Sequence, residues 1–171
     1  MTIRAFLQID NLPLDEAVLR RLEPAARQAH EDYMKSATPK DDSLQPWDKL
    51  SDSLKLSNYH QVLYWENVLH QHGLGVRKLK ARSKNGRPLS MTRLFGGKGI
   101  RKLTEMEHGR WNVERLSYGW RYAEKKDVPK KLSPYLIPWN KVPKHIQKFD
   151  LNAIRALPKN LERIGLELYK L

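Results

Sequence analysis

A stretch near the middle of this chain is repeated close to its end. Moving the sequence by 92 residues lays Pro46, Trp47, Lys49 and Leu50 on Pro138, Trp139, Lys141 and Val142, and no gap is needed afterwards. Leu54 then falls on Ile146, Asn58 on Asp150, Val62 on Ile154, Leu69 on Leu161 and Gly73 on Gly165. These are the residue types that a helical unit with a Pro-Trp entry, a cap, an apolar stripe and a terminal glycine requires. Upstream, His30 and Tyr33 match His108 and Trp111 at a different offset, as expected if the second half has a longer intervening loop. The pattern predicts a mainly α fold with a small β component, in which two pseudo-symmetric helical repeats pack as one compact domain. The first repeat is expected over 15–74, a basic connector over 75–99 and the second repeat over 100–168. Duplicated halves bury their apolar faces on each other, which makes the groove between them a natural ligand site.

Local signals give the elements. Asp15 suits the cap of a helix whose apolar positions Val18, Leu22, Ala25 or Ala26, Ala29 and Tyr33 recur at helical spacing, with Pro24 expected to split or kink it. Residues 47–56 read as a short helical turn, and Asn58 as the cap of a helix ending at Gly73. Around the Asn85-Gly86 turn signal, residues 76–81 and 89–94 read as two strands of a hairpin-like connector. A helix over 100–118 stops at Gly119, and residues 120–143 are expected to be irregular with short extended pieces. Asp150 is read as the cap of the next helix, with Pro158 in the first turn of a further one that ends at Gly165.

Composition removes several function classes. There is no cysteine, so disulfide frameworks, thiol nucleophiles and cysteine-containing zinc sites are excluded, and the six histidines show no metal-ligand spacing. We therefore expect no metal and no cofactor. No run of about 18 apolar residues is present to cross a bilayer. Residues 1–10 lack the basic n-region and cleavage site of a secretory signal, and the expected location is the cytoplasm.

The formal charge of +13 attracts polyanions without naming one. Between Glu66 and Glu105 no acidic residue occurs, whereas Arg77, Lys78, Lys80, Arg93, Arg101 and Lys102 are among the basic ones. This segment reads either as a solvated connector or as a nucleic-acid-binding face. Gly96-Gly97-Lys98-Gly99 fails as a phosphate loop, because Thr92 stands where the first glycine belongs and Gly99 where Ser or Thr belongs. No nucleophile elbow, kinase signature or dinucleotide fingerprint is present, and we expect no enzymatic activity and no catalytic residue.

The residues from Glu107-His108-Gly109-Arg110-Trp111, through Glu114-Arg115, Gly119-Trp120-Arg121-Tyr122, Pro134, Leu136 and Pro138-Trp139, to Asp150 and Gly165 follow a recognisable order. Their pattern, H-x-x-W, G-W-x-Y, P-x-L-x-P-aromatic and a closing helix, resembles the ryanodine-receptor (RyR) domain repeat. Pro46-Trp47, Leu50, Ser57-Asn58, Gln61 and Gly73 resemble the companion repeat of tandem bacterial and phage-type versions, and the resemblance covers roughly residues 26–168. The first half departs from it in lacking Gly-Trp-x-Tyr and in having Tyr33 in place of a tryptophan. The resemblance implies a mainly helical, non-catalytic module that recognises nucleotide-derived ligands.

Residue chemistry supports such a ligand. Indole faces stack bases, and guanidinium groups hold phosphate bidentately. The candidate ligand-binding set is Trp47, Arg110, Trp111, Arg115, Trp120, Arg121, Tyr122, Lys131 and Trp139. The tryptophans equally suit core anchors, and His108 suits a histidine that hydrogen-bonds and fixes a neighbouring loop. The expected partner is a small anionic ligand, a nucleotide or an ADP-ribose-like molecule. The alternatives are nucleic acid bound through residues 77–102 and a protein-interaction surface.

Overall fold

The computed structural model describes residues 16–36, 44–80 and 89–171. The chain order is α1 (Glu16–Ser36), a 3₁₀ turn (Trp47–Lys49), α2 (Asp52–Gln71), β1 (Leu74–Lys78), α3 (Met91–Ser117), β2 (Arg121–Tyr122), β3 (Leu132–Ser133), a second 3₁₀ turn (Trp139–Lys141), α4 (Lys144–Arg163) and β4 (Leu166–Lys170). Among the described residues the architecture is mainly helical, with two small two-stranded sheets. In the first, β1 pairs antiparallel with β4, Val76 opposite Leu168; in the second, β2 pairs parallel with β3.

The turn, helix and strand of the first half recur 92 residues later with the same lengths. Backbone angles repeat too. The residues before the two 3₁₀ turns, Pro46 and Pro138, have φ/ψ of −52/148° and −57/144°. Gly73 and Gly165, just past α2 and α4, have φ of +70° and +75°. A left-handed conformation there satisfies the last helical carbonyls and turns the chain into β1 or β4, which is why glycine closes both helices.

One apolar core joins the halves. Tyr64, Trp65, Val68 and Leu69 of α2 meet Ile100 and Leu103 of α3 and Ile154 and Leu161 of α4, with Leu74 and Leu168 closing the strand side. A smaller cluster of Ala26, Trp47 and Leu50 holds α1 on α2. Tyr59 meets Trp47 edge-on at 5.8 Å in that cluster.

Four local expectations change. Pro24 does not split α1, which runs unbroken through it. The proline is exposed, and a carbonyl deprived of its donor on the solvent side of a helix is served by water. Pro158 likewise lies inside α4 rather than opening another helix. Asn58 and Asp150 are interior residues, because the 3₁₀ turns start the helices six residues earlier, at Asp52 and Lys144. Asn58 instead donates Nδ2 to the Leu54 carbonyl (2.8 Å). Finally, residues 91–94 are helical, so β1 has no hairpin partner there and finds β4. Asp15 and the Asn85-Gly86 turn signal lie outside the described residues. Gly96 interrupts α3 at φ 64°, ψ 176°.

Candidate ligand-binding groove

A cavity of about 560 Å³ opens between the α1–α2 pair and the α3–α4 pair. Its walls are largely apolar: Ala25 and Ala29 of α1, Val62 of α2, and Phe149, Ala153 and Ala156 of α4 are representative. Each comes from the groove-facing stripe of its helix, so the periodicity that builds the core also builds the cavity. The small side chains of Ala25, Ala29, Ala153 and Ala156 leave the space between α1 and α4 unfilled.

The polar end is organised by α3. Glu107, Arg110 and Glu114 are spaced at i, i+3 and i+7, which puts them on one helix face. Arg110 is buried between both carboxylates: Nη2 lies 2.9 Å from Glu107 Oε1, and Nη1 lies 2.5 Å from Glu114 Oε2. Gln61 Nε2 donates to Glu107 Oε1 (2.8 Å), which ties α2 to α3. Burial pushes the Glu107 carboxyl up, with Arg110 opposing it. For Glu114 burial acts in the same direction, but the positive charges of Arg110 and Arg115 outweigh it and hold the group below its usual range. The Arg110 guanidinium is raised: burial acts against its charge, and the two carboxylates more than compensate.

One turn on, the Arg115 guanidinium lies over Trp111 (5.6 Å to the ring centroid) and Trp120 (4.8 Å). Stacking on two indoles restricts its rotamers and presents a cation in a defined place.

His108 joins α3 to the second half's loop and to α4. Its Nε2 donates to the Ile137 carbonyl (2.9 Å), and Nδ1 lies 3.6 Å from Asp150 Oδ2. The loop-fixing role expected for this histidine is thus present. In the first half, His30 Nε2 makes the same kind of bond to the Gln45 carbonyl (2.7 Å). Burial disfavours the imidazolium of His108, but Asp150, the Ile137 carbonyl and Glu107 outweigh it, and the pKa is raised. A group raised on folding stabilises fully below its unfolded pKa, about 6.5. That contribution disappears as pH rises through the folded value. Thermal melts across pH 5 to 9 are expected to show a stability decline above neutrality that Asp150→Asn flattens; equal slopes in the two proteins would refute the coupling.

Of the nine candidate residues, Arg110, Trp111, Arg115 and Trp120 line the groove. Arg110 is committed to its two glutamates, and Arg115 lies against the aromatic pair. The other five stand off the wall. Trp47 is buried in the small cluster, with Arg27 over its ring at 5.4 Å. Trp139 packs 5.5 Å from His108. Arg121 and Tyr122 are exposed on β2, and Lys131 donates Nζ to the Tyr118 carbonyl (3.0 Å). Glu107, Asn58, Gln61 and Asp150 line the groove without having been singled out as ligand contacts. The spacing of Glu107, Arg110 and Glu114 was the available signal for the network.

Among the described residues no group of three or more histidine or acidic residues could hold a metal ion, and no helix is long and apolar enough to cross a membrane. In the basic segment, Arg77 is engaged by Glu167 (2.8 Å), whereas Arg93, Lys98, Arg101 and Lys102 are exposed on α3. Arg82, Lys84 and Arg87 lie outside the described residues.

No curated protein matches the chain. Residues 97–170, which run from just after the break at Gly96 to the end of β4 and make up less than half of the chain, match the model of the RyR domain. The second half of the chain, from α3 through α4 to β4, carries the RyR domain pattern.

Proposed function

We propose that this chain is a non-catalytic ligand-recognition module, built from two pseudo-symmetric RyR-like repeats, whose groove takes a small nucleotide-derived anion. The observation that carries this reading is the cavity of about 560 Å³ with walls from both halves, a volume inside the range of about 300–1,000 Å³ typical of small-molecule sites. Its chemistry suits such a ligand. An apolar wall accepts a planar base, Trp111 offers an aromatic face, and the side-chain amides of Asn58, Gln61 and Asn152 can read polar edges. Arg115 supplies the charge for a phosphate. The carboxylates nearest Arg110 and His108 are engaged by those side chains, so they serve to hold the polar end in place rather than to move protons.

Thermal-shift and calorimetric titration with nucleoside mono- and diphosphates and ADP-ribose tests the reading. At least one member is expected to raise Tm. Trp111→Ala and Arg115→Ala should each weaken that ligand about tenfold to a hundredfold, in line with about 1–3 kcal/mol for base stacking and a similar size for a charged hydrogen bond. Ala156→Phe, which fills the groove from the α4 side, should abolish binding. A folded protein that ignores the whole panel, or a ligand that binds Ala156→Phe unchanged, would sink the proposal.

A further inference from the structure

We propose that the outer face of α4 is a docking surface for the phosphate backbone of nucleic acid, separate from the groove and independent of what fills it. Lys144, Lys148, Arg155 and Lys159 are all exposed. At 3.6 residues per turn they fall within about 60° of the helix circumference, and at 1.5 Å per residue the row is about 22 Å long. Lys148, Arg155 and Lys159 make no ion pair among the described residues, and Lys144 reaches only Gln147 (3.2 Å). The acidic residue in the middle of α4, Asp150, faces His108 on another side of the helix. The contrast with α1 is sharp: Arg20, Arg21 and Arg27 there are all paired with carboxylates.

Two further observations indicate that this charge is not a requirement of the fold. In the matching helix, α2, the four positions are Asp52, Leu56, Leu63 and Asn67, so the unit forms without the row. In addition, Lys144 and Lys148 occupy the first two turns of α4, and no acidic residue stands in its first turn, whereas α1 and α2 begin with Glu16 and Asp52. Cations at the positive end of a helix dipole destabilise it, while an anion arriving there is favoured by both the amides and the lysines. The row thus costs helix stability and gains a phosphate site.

Nucleic acid fits better than a lipid surface. The apolar face of α4 is spent in the core through Ile154 and Leu161, so nothing apolar is left beside the row to enter a bilayer. A regular line of charges matches a polymer with evenly spaced phosphates.

The test is fluorescence anisotropy of the whole chain with a labelled 20-base-pair duplex and a single strand of the same length, between 50 and 200 mM salt. Micromolar binding at low salt is expected, with log K falling against log salt at a slope of about −3 for three to four phosphate contacts on duplex. K148E/R155E/K159E should lose at least tenfold in affinity and flatten that slope while keeping the wild-type circular dichroism. Lys144→Glu separates stability from binding, because it should raise Tm while weakening the complex. Unchanged affinity and slope in the triple variant would overturn the proposal and move the contact elsewhere, for instance to residues 77–102. So would vesicles containing phosphatidylserine that bind when nucleic acid does not, or no binding at 50 mM salt. Ala156→Phe should leave this binding intact, which separates its failure from failure of the groove reading.

Discussion

Arg110→Met is expected to cost about 3–5 kcal/mol of folding stability, enough to lower Tm by roughly 10 °C in a domain of this size. The reason is the company the side chain keeps. Glu107 and Glu114 are both buried against it, and removing the cation leaves two carboxylates with no access to water. They must then become protonated or draw water into the core, and either is expensive. Urea denaturation of Arg110→Met beside R110M/E107Q/E114Q checks the cause. The triple variant keeps Gln61's acceptor at position 107 and has no buried charge on these three positions, so it should recover most of the loss. If the single variant is nearly as stable as the parent, Arg110 is not the counter-ion that holds the polar end of the groove together.

Leu69→Ala and Leu161→Ala are each expected to cost about 2–5 kcal/mol, the range for deleting a buried leucine. The two residues stand 92 positions apart, at matching places on α2 and α4, and both are buried in the same core cluster. Equilibrium unfolding should therefore show losses of similar size and a single cooperative transition in each variant. A cost near zero for Leu161→Ala alone, or a transition that splits in two, would mean that the halves do not share one core.

Much of this fold could be read from residue types and spacing, because the repeat is marked by residues whose roles are local. Pro46 and Pro138 force the extended entry, the tryptophans anchor the turn, and Gly73 and Gly165 supply the left-handed exit; all of these act within a few residues. Asn58 and Asp150 misled for an equally physical reason. Short polar side chains favour caps in general, but here the turn and its proline or serine have already begun the helix, and the pair projects from an interior position instead. The pairing of β1 with β4 was out of reach, since its two strands are separated by most of the second half and nothing nearby in sequence specifies either partner.

The groove divides along the same line. That Arg110, Trp111, Arg115 and Trp120 come together follows from helical spacing and the Gly119 turn. That Arg110 is held between two carboxylates depends on Glu107 and Glu114 being buried, and burial is a tertiary property. Trp47 and Trp139 carry the same residue type as Trp120, yet one is enclosed in a separate cluster and the other braces His108.

The β1–β4 ladder has a consequence for biosynthesis. Until β4 has left the ribosome, β1 has an open edge and the first half waits with its strand unsatisfied. Closing the ladder waits for β4, and it must form across a long intervening segment, which makes it a slow step. Two chains finishing side by side meet the same choice at each edge. A β4 donated to the neighbour's β1 would recreate every backbone bond of the closed monomer in an exchanged dimer.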